Sequence, residues 1–259
     1  MDEENKIISI PGGLLSAING RRVLIGAVTI LVITCIITQM SVQFAGGPRD
    51  ETIDLSDQID ADLQNPPSFD GLPPFISSGG VFEPEKTIFT IGLTISGILF
   101  MIVGIDFGIR THRLLNICSF GNLRKLCNFA SSASALIAGI SLAMVAKYPF
   151  DEELLLHIFY ALTIFYCAFF WVLFSHLARR GIEDDSLTWR EYNVASIRKY
   201  SLVLVFISLV MTVNAPAIGY IAIGAFFEWM LLFTTMIALL SNVSAYDQGR
   251  EISFRNHNQ

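Results

Sequence analysis

Long stretches without a charged residue dominate this chain and decide its class. Between Tyr200 and Tyr246 the only charge is Glu228. Comparable apolar stretches recur from Val23 onward, separated by short blocks of Arg, Lys, Asp and Glu. The hydrocarbon core of a bilayer takes about 20 mostly apolar residues per helix. Backbone polar groups there must be satisfied within the segment, which leaves helices or closed barrels. Only 15% of the residues are charged, against about 25% in a soluble domain. The pattern predicts an all-α polytopic membrane protein, a six-transmembrane-helix bundle.

The expected spans are Val23–Phe44, Thr87–Ile109, Leu126–Ala146, Leu154–Ala178, Ile197–Asn214 and Ile218–Val243. The 200–246 stretch is too long for one helix, and Asn214-Ala215-Pro216 supplies its break. The first span is too long for the apolar part of a signal peptide, so it is read as retained. Residues 1–22 form an N-terminal segment, either an interfacial helix or a disordered tail; 23–246 form the membrane domain and 247–259 a C-terminal tail. The 46–86 loop carries nine acidic residues and six of the nine prolines. Its first part, Arg49–Asp70, reads as solvated and flexible. Its second, Pro74–Phe82, is apolar enough to rest against the membrane surface.

Basic residues in short loops stay cytoplasmic. With six spans, both termini and the 110–125 and 179–199 loops share one side, and that side holds 14 of the 17 Lys and Arg residues. Only Arg49, Lys86 and Lys147 fall opposite. Both termini are therefore expected in the cytoplasm and the acidic loop outside or in a lumen, in a plasma membrane or endomembrane. The sequon Asn242-Val-Ser244 falls on the side where it is not used. No basic face for nucleic acid is present. Cys35, Cys118, Cys127 and Cys167 lie outside the acidic loop and read as inert thiols.

Ionisable groups inside a bilayer are costly and mark candidate sites. Glu228 lies in the outer half of span six and His157 near the outer end of span four, at depths that let them meet. Such a pair suits three uses: binding a lipid headgroup, relaying a proton, or satisfying each other. Asp106 stands four residues before Arg110, the spacing of a structural helical ion pair. Gly104 and Gly108 flank it in a GxxxG pattern, and span three is rich in Ser, Ala and Gly. Small-residue faces allow close helix approach, within the bundle or in a homo-oligomer. Trp171, Trp189 and Trp229 suit interfacial anchoring. No phosphate loop, nucleophile elbow, zinc signature or paired-cysteine motif appears, so no catalytic residue, metal or cofactor is expected.

Several short motifs fall in a characteristic order. Pro74-Phe75-Ile76-Ser77 closes the first outer loop, followed by Glu83-Pro84-Glu85 and Ile88-Phe89. His157 begins span four, Gly224-Ala225-Phe226-Phe227-Glu228-Trp229 lies in span six, and Tyr246-Asp247-Gln248 ends it. Over residues 23–248 this order resembles the Frag/DRAM/Sfk family, six-span proteins that include autophagy modulators induced by DNA damage. Ser78 stands where that family tends to have an acidic residue. The resemblance implies a membrane protein tied to lipid organisation, autophagy or endolysosomal membranes, with membrane lipids as partners. It places Phe75, Ile76, Ser77, His157, Glu228 and Trp229 in a candidate outer-leaflet site. An intramembrane lipid-remodelling hydrolase and a small proton-coupled transporter are the competing expectations for the same two ionisable groups.

Overall fold

The computed structural model of the chain describes residues 6–44, 75–81, 83–149, 152–180, 182, 188–189, 192–246 and 251–254. The acidic stretch 49–70, Pro74 and most of the C-terminal tail lie outside the described residues. Six helices are long and apolar enough to cross a membrane. They are α1 (Ala17–Phe44), α2 (Glu85–Ile117), α3 (Asn122–Lys147), α4 (Leu154–Arg179), α5 (Val194–Ala217) and α6 (Ile221–Leu240). A 3-10 turn at Ile76–Gly80 precedes α2, and another at Ser241–Tyr246 follows α6.

Among the described residues, strand structure is confined to two short antiparallel ladders. Strand β1 (Lys6–Ser9) pairs with β4 (Glu251–Phe254), which brings both ends of the chain to one end of the bundle. Strands β2 (Thr188–Trp189) and β3 (Tyr192–Asn193) form a minimal hairpin before α5. Residues 6–9 are therefore neither an interfacial helix nor a free tail.

Side-chain caps mark two of the helix starts. Ser16 caps α1, its Oγ accepting from the Asn19 N–H at 3.2 Å, and Asn193 caps α5 by accepting from the Ser196 N–H at 3.1 Å. Helix α2 runs on to Ile117, two turns past the expected Ile109. Its extension survives because Leu114 and Leu115 are buried in a second small core with Ile10, Cys118, Phe120, Ile182 and Val194. The α5–α6 break falls at Ile218–Tyr220, not at Asn214–Pro216. Pro216 sits in the last turn of α5, where its missing N–H leaves one helical bond unmade just before the helix ends, and Gly219 (φ +89°) makes the reversal.

Helices α1, α2, α3 and α4 pack in sequence order and α6 lies against α5; α4 meets α5, and α6 meets α1 and α4, over smaller areas. The main core joins Leu24, Leu31, Leu93, Phe100, Leu142, Trp171 and Leu239, with the Phe100 and Trp171 rings edge to face at 5.9 Å. Small residues of α3 face both neighbours, with Ser131 Oγ 2.8 Å from Ser175 Oγ on the α4 side and Ser132, Ala135 and Gly139 on the α2 side. A Cβ added to Gly97 would run into the Gly139 carbonyl and the reverse holds as well, while Gly104 faces Ala135 and Gly108 faces Ser132. On the outside of α2, Ile88, Ile91, Ile95, Ile98, Ile102 and Ile105 form a stripe between 39% and 56% exposed. Such a stripe is the face a hydrocarbon solvent wants.

Candidate functional site

At the end of the bundle away from the termini, the 75–81 segment is tied into the helices. Ser78, Gly79, Gly80 and Val81 are buried, so this segment is packed into the bundle instead of resting on a membrane surface. Its main anchor is Gln39 of α1, whose amide nitrogen donates to the carbonyls of Phe75 (2.8 Å) and Ile76 (3.0 Å) and to Ser78 Oγ (2.8 Å). The Ser78 hydroxyl lies 2.8 Å from the Phe75 carbonyl and 3.2 Å from Gln39 Oε1. A neutral serine at this position is thus fully used. Beside it, the Ser41 hydroxyl donates to Glu85 Oε1 at 2.5 Å.

Glu228 closes the arrangement from α6. It lies seven residues past Ile221, the start of that helix, about 10 Å along the axis. Its Oε2 accepts the Ile76 N–H at 2.6 Å. That N–H is the first of the 3-10 turn, where the backbone dipole favours a carboxylate. His157, in the first turn of α4, places Nδ1 2.8 Å from the Tyr148 carbonyl. A carbonyl only accepts, so Nδ1 is the donor, and in the neutral ring Nε2 is left as an acceptor. Both residues are buried, at 7% and 6% exposure.

Both also line two cavities that share part of their walls, an inner and a second chamber. The inner one, about 110 Å³, runs between α1, α2, α3, α4 and α6, with Leu31, Phe89, Leu142, Trp171 and Leu239 among its walls. The second, about 300 Å³, lies between α4 and α5, with Leu154, Ile158, Val213, Pro216 and Ala217 around it. Ser77, His157, Ala161, Phe165 and Glu228 belong to both. Among the described residues neither lining contains Lys or Arg. Two hydroxyls in these walls have no partner: Thr235 in the inner chamber and Thr212 in the second, both buried.

The expected residues thus meet at one place with one exception. Ile76, Ser77, His157 and Glu228 line the inner chamber and Phe75 the second. Trp229 turns away, its ring stacked on Phe233 at 5.9 Å against the main core. Gln39, Thr212 and Thr235 are additions that sequence reading passed over. Gln39 had a signal, an amide in the last quarter of an apolar run. Threonines inside spans carry none, because they usually bond to their own helix, as Thr234 does to the Met230 carbonyl. Among the described residues no three His, Cys, Asp or Glu converge as a metal site.

Asp106 and Arg110 lie far from this cavity, at the termini end. Arg110 Nε donates to Asp106 Oδ2 at 2.8 Å, and the two side chains are 1% and 0% exposed. The pair also grips the N-terminal segment: Asp106 Oδ1 accepts the Leu15 N–H (2.8 Å) and Arg110 Nη2 donates to the Leu15 carbonyl (2.7 Å). The Arg110 guanidinium lies over the Tyr246 ring at 4.7 Å. The pair is the expected structural one, but buried under a strap instead of at a helix surface.

No curated protein and no solved structure matches the chain. Residues 22–244, most of its length and the greater part of each of the six membrane-length helices, match the family model of the Frag1/DRAM/Sfk1/Cwh43P N-terminal domain, and the chain belongs to that family.

Proposed function

We propose that this protein binds membrane lipid in the two-chambered cavity and so takes part in lipid organisation, without catalysing a reaction. The observation that carries this reading is the placement of Glu228 and His157. Among the described lining residues they are the two charged-type side chains, in walls whose other polar side chains are hydroxyls and a thiol, and each lines both chambers. A few polar groups in an apolar concavity fix the head of an amphiphile while the walls take its hydrocarbon. In this reading the termini are cytoplasmic, as the distribution of basic residues favours, and these two residues lie in the opposite leaflet. Family membership supports a lipid-linked role in a multi-pass membrane protein.

The test is to fill the cavity. Ala161 lines both chambers, and Ala161→Trp places an indole between them. The full chain, purified in mild detergent, is expected to carry tightly held lipid detectable by native mass spectrometry. The variant is expected to retain its elution volume and helical circular dichroism and to lose that lipid by about tenfold or more. Lipid-free wild-type protein, or equal lipid in both, overturns the reading.

A further inference from the structure

Helices α4 and α5 are closed against each other near mid-bundle and part toward the end away from the termini. In the closed region Phe165 and Phe169 of α4 pack against a small core of Val205, Leu209 and Leu231, and the Phe169 and Phe206 rings lie 5.8 Å apart. Phe165 and Val213 belong both to this packing and to the wall of the second chamber, so the small core is the floor of that chamber. Above the floor, Ile158 and Leu162 stand on the α4 side of the chamber and Pro216 and Ala217 on the α5 side. Ile158 and Ala217 are exposed as well as chamber-lining, so each forms a lip between the chamber and the outside of the bundle. Each lip lies 11 residues from the ring contact on its own helix (158 to 169 and 206 to 217), about 16 Å. That is close to the hydrocarbon depth of one leaflet, half of about 30 Å.

Local contacts account for the parting. The start of α4 leans on the end of α3: the Tyr148 and Tyr160 rings stack at 5.7 Å, and His157 Nδ1 donates to the Tyr148 carbonyl at 2.8 Å. The end of α5 is held by α6, where Gly224 leaves room for the Pro216 ring and an added Cβ would strike it. The two helix ends are thus fixed by different neighbours. Both lips lie within membrane-length helices, and Leu155, Phe159 and Ile218 near them are exposed too. A lipid chain that slides into the chamber from the bilayer keeps its methylenes out of water throughout. One that came from the aqueous side would expose them on the way.

Resting on the reading that the cavity holds lipid, we propose that lipid enters and leaves it sideways, through the cleft between the outer halves of α4 and α5, and so exchanges with the leaflet opposite the termini. Ile158 and Ala217 are the lips of this opening, and the packing of Phe165 and Phe169 on Leu209 closes the seam toward the termini.

The test follows exchange by isotope. The full chain is produced in cells grown on isotopically heavy carbon, so that it carries heavy lipid, and is placed in vesicles of unlabelled lipid extracted from the same cell type. Native mass spectrometry of protein recovered at intervals gives the rate at which heavy lipid is replaced. Ala217→Trp and Ile158→Trp each set an indole at one lip. Each is expected to slow exchange about tenfold and to leave the amount of lipid held as in the wild type. Phe206→Trp, in the closed part of the seam, is expected to leave the rate within about twofold of wild type. Wild-type rates in both lip variants overturn the route while the lipid-binding reading stands. Slowing by all three substitutions alike overturns the confinement to one leaflet, and a wild-type protein that never exchanges its heavy lipid overturns the opening itself. Wild-type protein that holds no heavy lipid brings down the lipid-binding reading. The lips lie on different helices, so misfolding of one variant, seen as a shifted elution volume, leaves the other to decide.

Discussion

The molecule buries ionisable side chains at both ends, and the two ends treat them differently. At the termini end, Asp106 has its charge met by Arg110 and its second oxygen met by the Leu15 N–H, while Arg110 is also bonded to the Leu15 carbonyl and covered by Tyr246. At the other end, Glu228 receives one backbone N–H and faces a cavity with no cation among the described residues of its lining. A closed, neutral network holds elements in register. A carboxyl with one oxygen still to satisfy, set in an apolar concavity, is arranged for something that comes and goes. The contrast separates a structural ion pair from a binding group more clearly than burial does, since both carboxyls are buried.

The contrast is broken first by removing one carboxyl from each end. Asp106→Ala leaves Arg110 as a buried cation without its counter-charge and frees the 11–15 strap. The expected loss is about 3–5 kcal/mol, seen as a large fall in the thermal unfolding midpoint in detergent. Glu228→Gln keeps an amide oxygen to accept the Ile76 N–H and creates no lone charge. Its expected cost is about 1 kcal/mol or less. Equal losses from the two substitutions would show that Glu228 belongs to the frame.

A smaller effect sharpens the cavity end. Gln39 holds the 75–78 segment through three acceptors. Gln39→Ala strips those bonds and leaves the Phe75 and Ile76 carbonyls and Ser78 to find others, at an expected cost of about 1–3 kcal/mol. Hydrogen exchange is the sharper readout. The Ile76 amide, protected by Glu228, is expected to exchange faster in the variant, while amides of the α2–α3 interface stay as slow as before. Unchanged protection at Ile76 would mean that Glu228 alone positions the segment.

How much of this was legible follows from the range of each interaction. The six spans were visible because each apolar run is as long as the bilayer demands, a constraint local to the run. Their ends were less so: Leu114 and Leu115 continue α2 beyond the bilayer only because Ile10, Ile182 and Val194 come from elsewhere to bury them. Glu228 and His157 announced themselves as ionisable groups among apolar neighbours. The strap at 11–15 did not, because its bonds use the backbone of Leu15, 91 residues from Asp106, and backbone atoms carry no sequence signal. Trp229 was misplaced for a geometric reason. The next residue on a helix points about 100° away, so proximity in sequence to Glu228 is not proximity in space.

The smallest expected effect tests whether the polar groups of the cavity end form one set. Thr235 lies seven residues beyond Glu228 on α6, two turns deeper in the inner chamber, and its hydroxyl has no partner. The hydroxyls of Thr234 and Thr38 by contrast bond to carbonyls of their own helices. An unpaired buried hydroxyl costs free energy, and replacing it by a methyl of the same shape removes that cost. If the inner chamber holds a plain hydrocarbon chain, Thr235→Val is expected to stabilise the protein by about 0.5–1 kcal/mol and to leave the amount of co-purified lipid as it was. Thr212→Val, in the wall of the second chamber, is expected to lower that amount. A loss of lipid from both threonines alike would extend the polar end of the cavity two turns down α6 and require a ligand with a second polar group about 10 Å from its head.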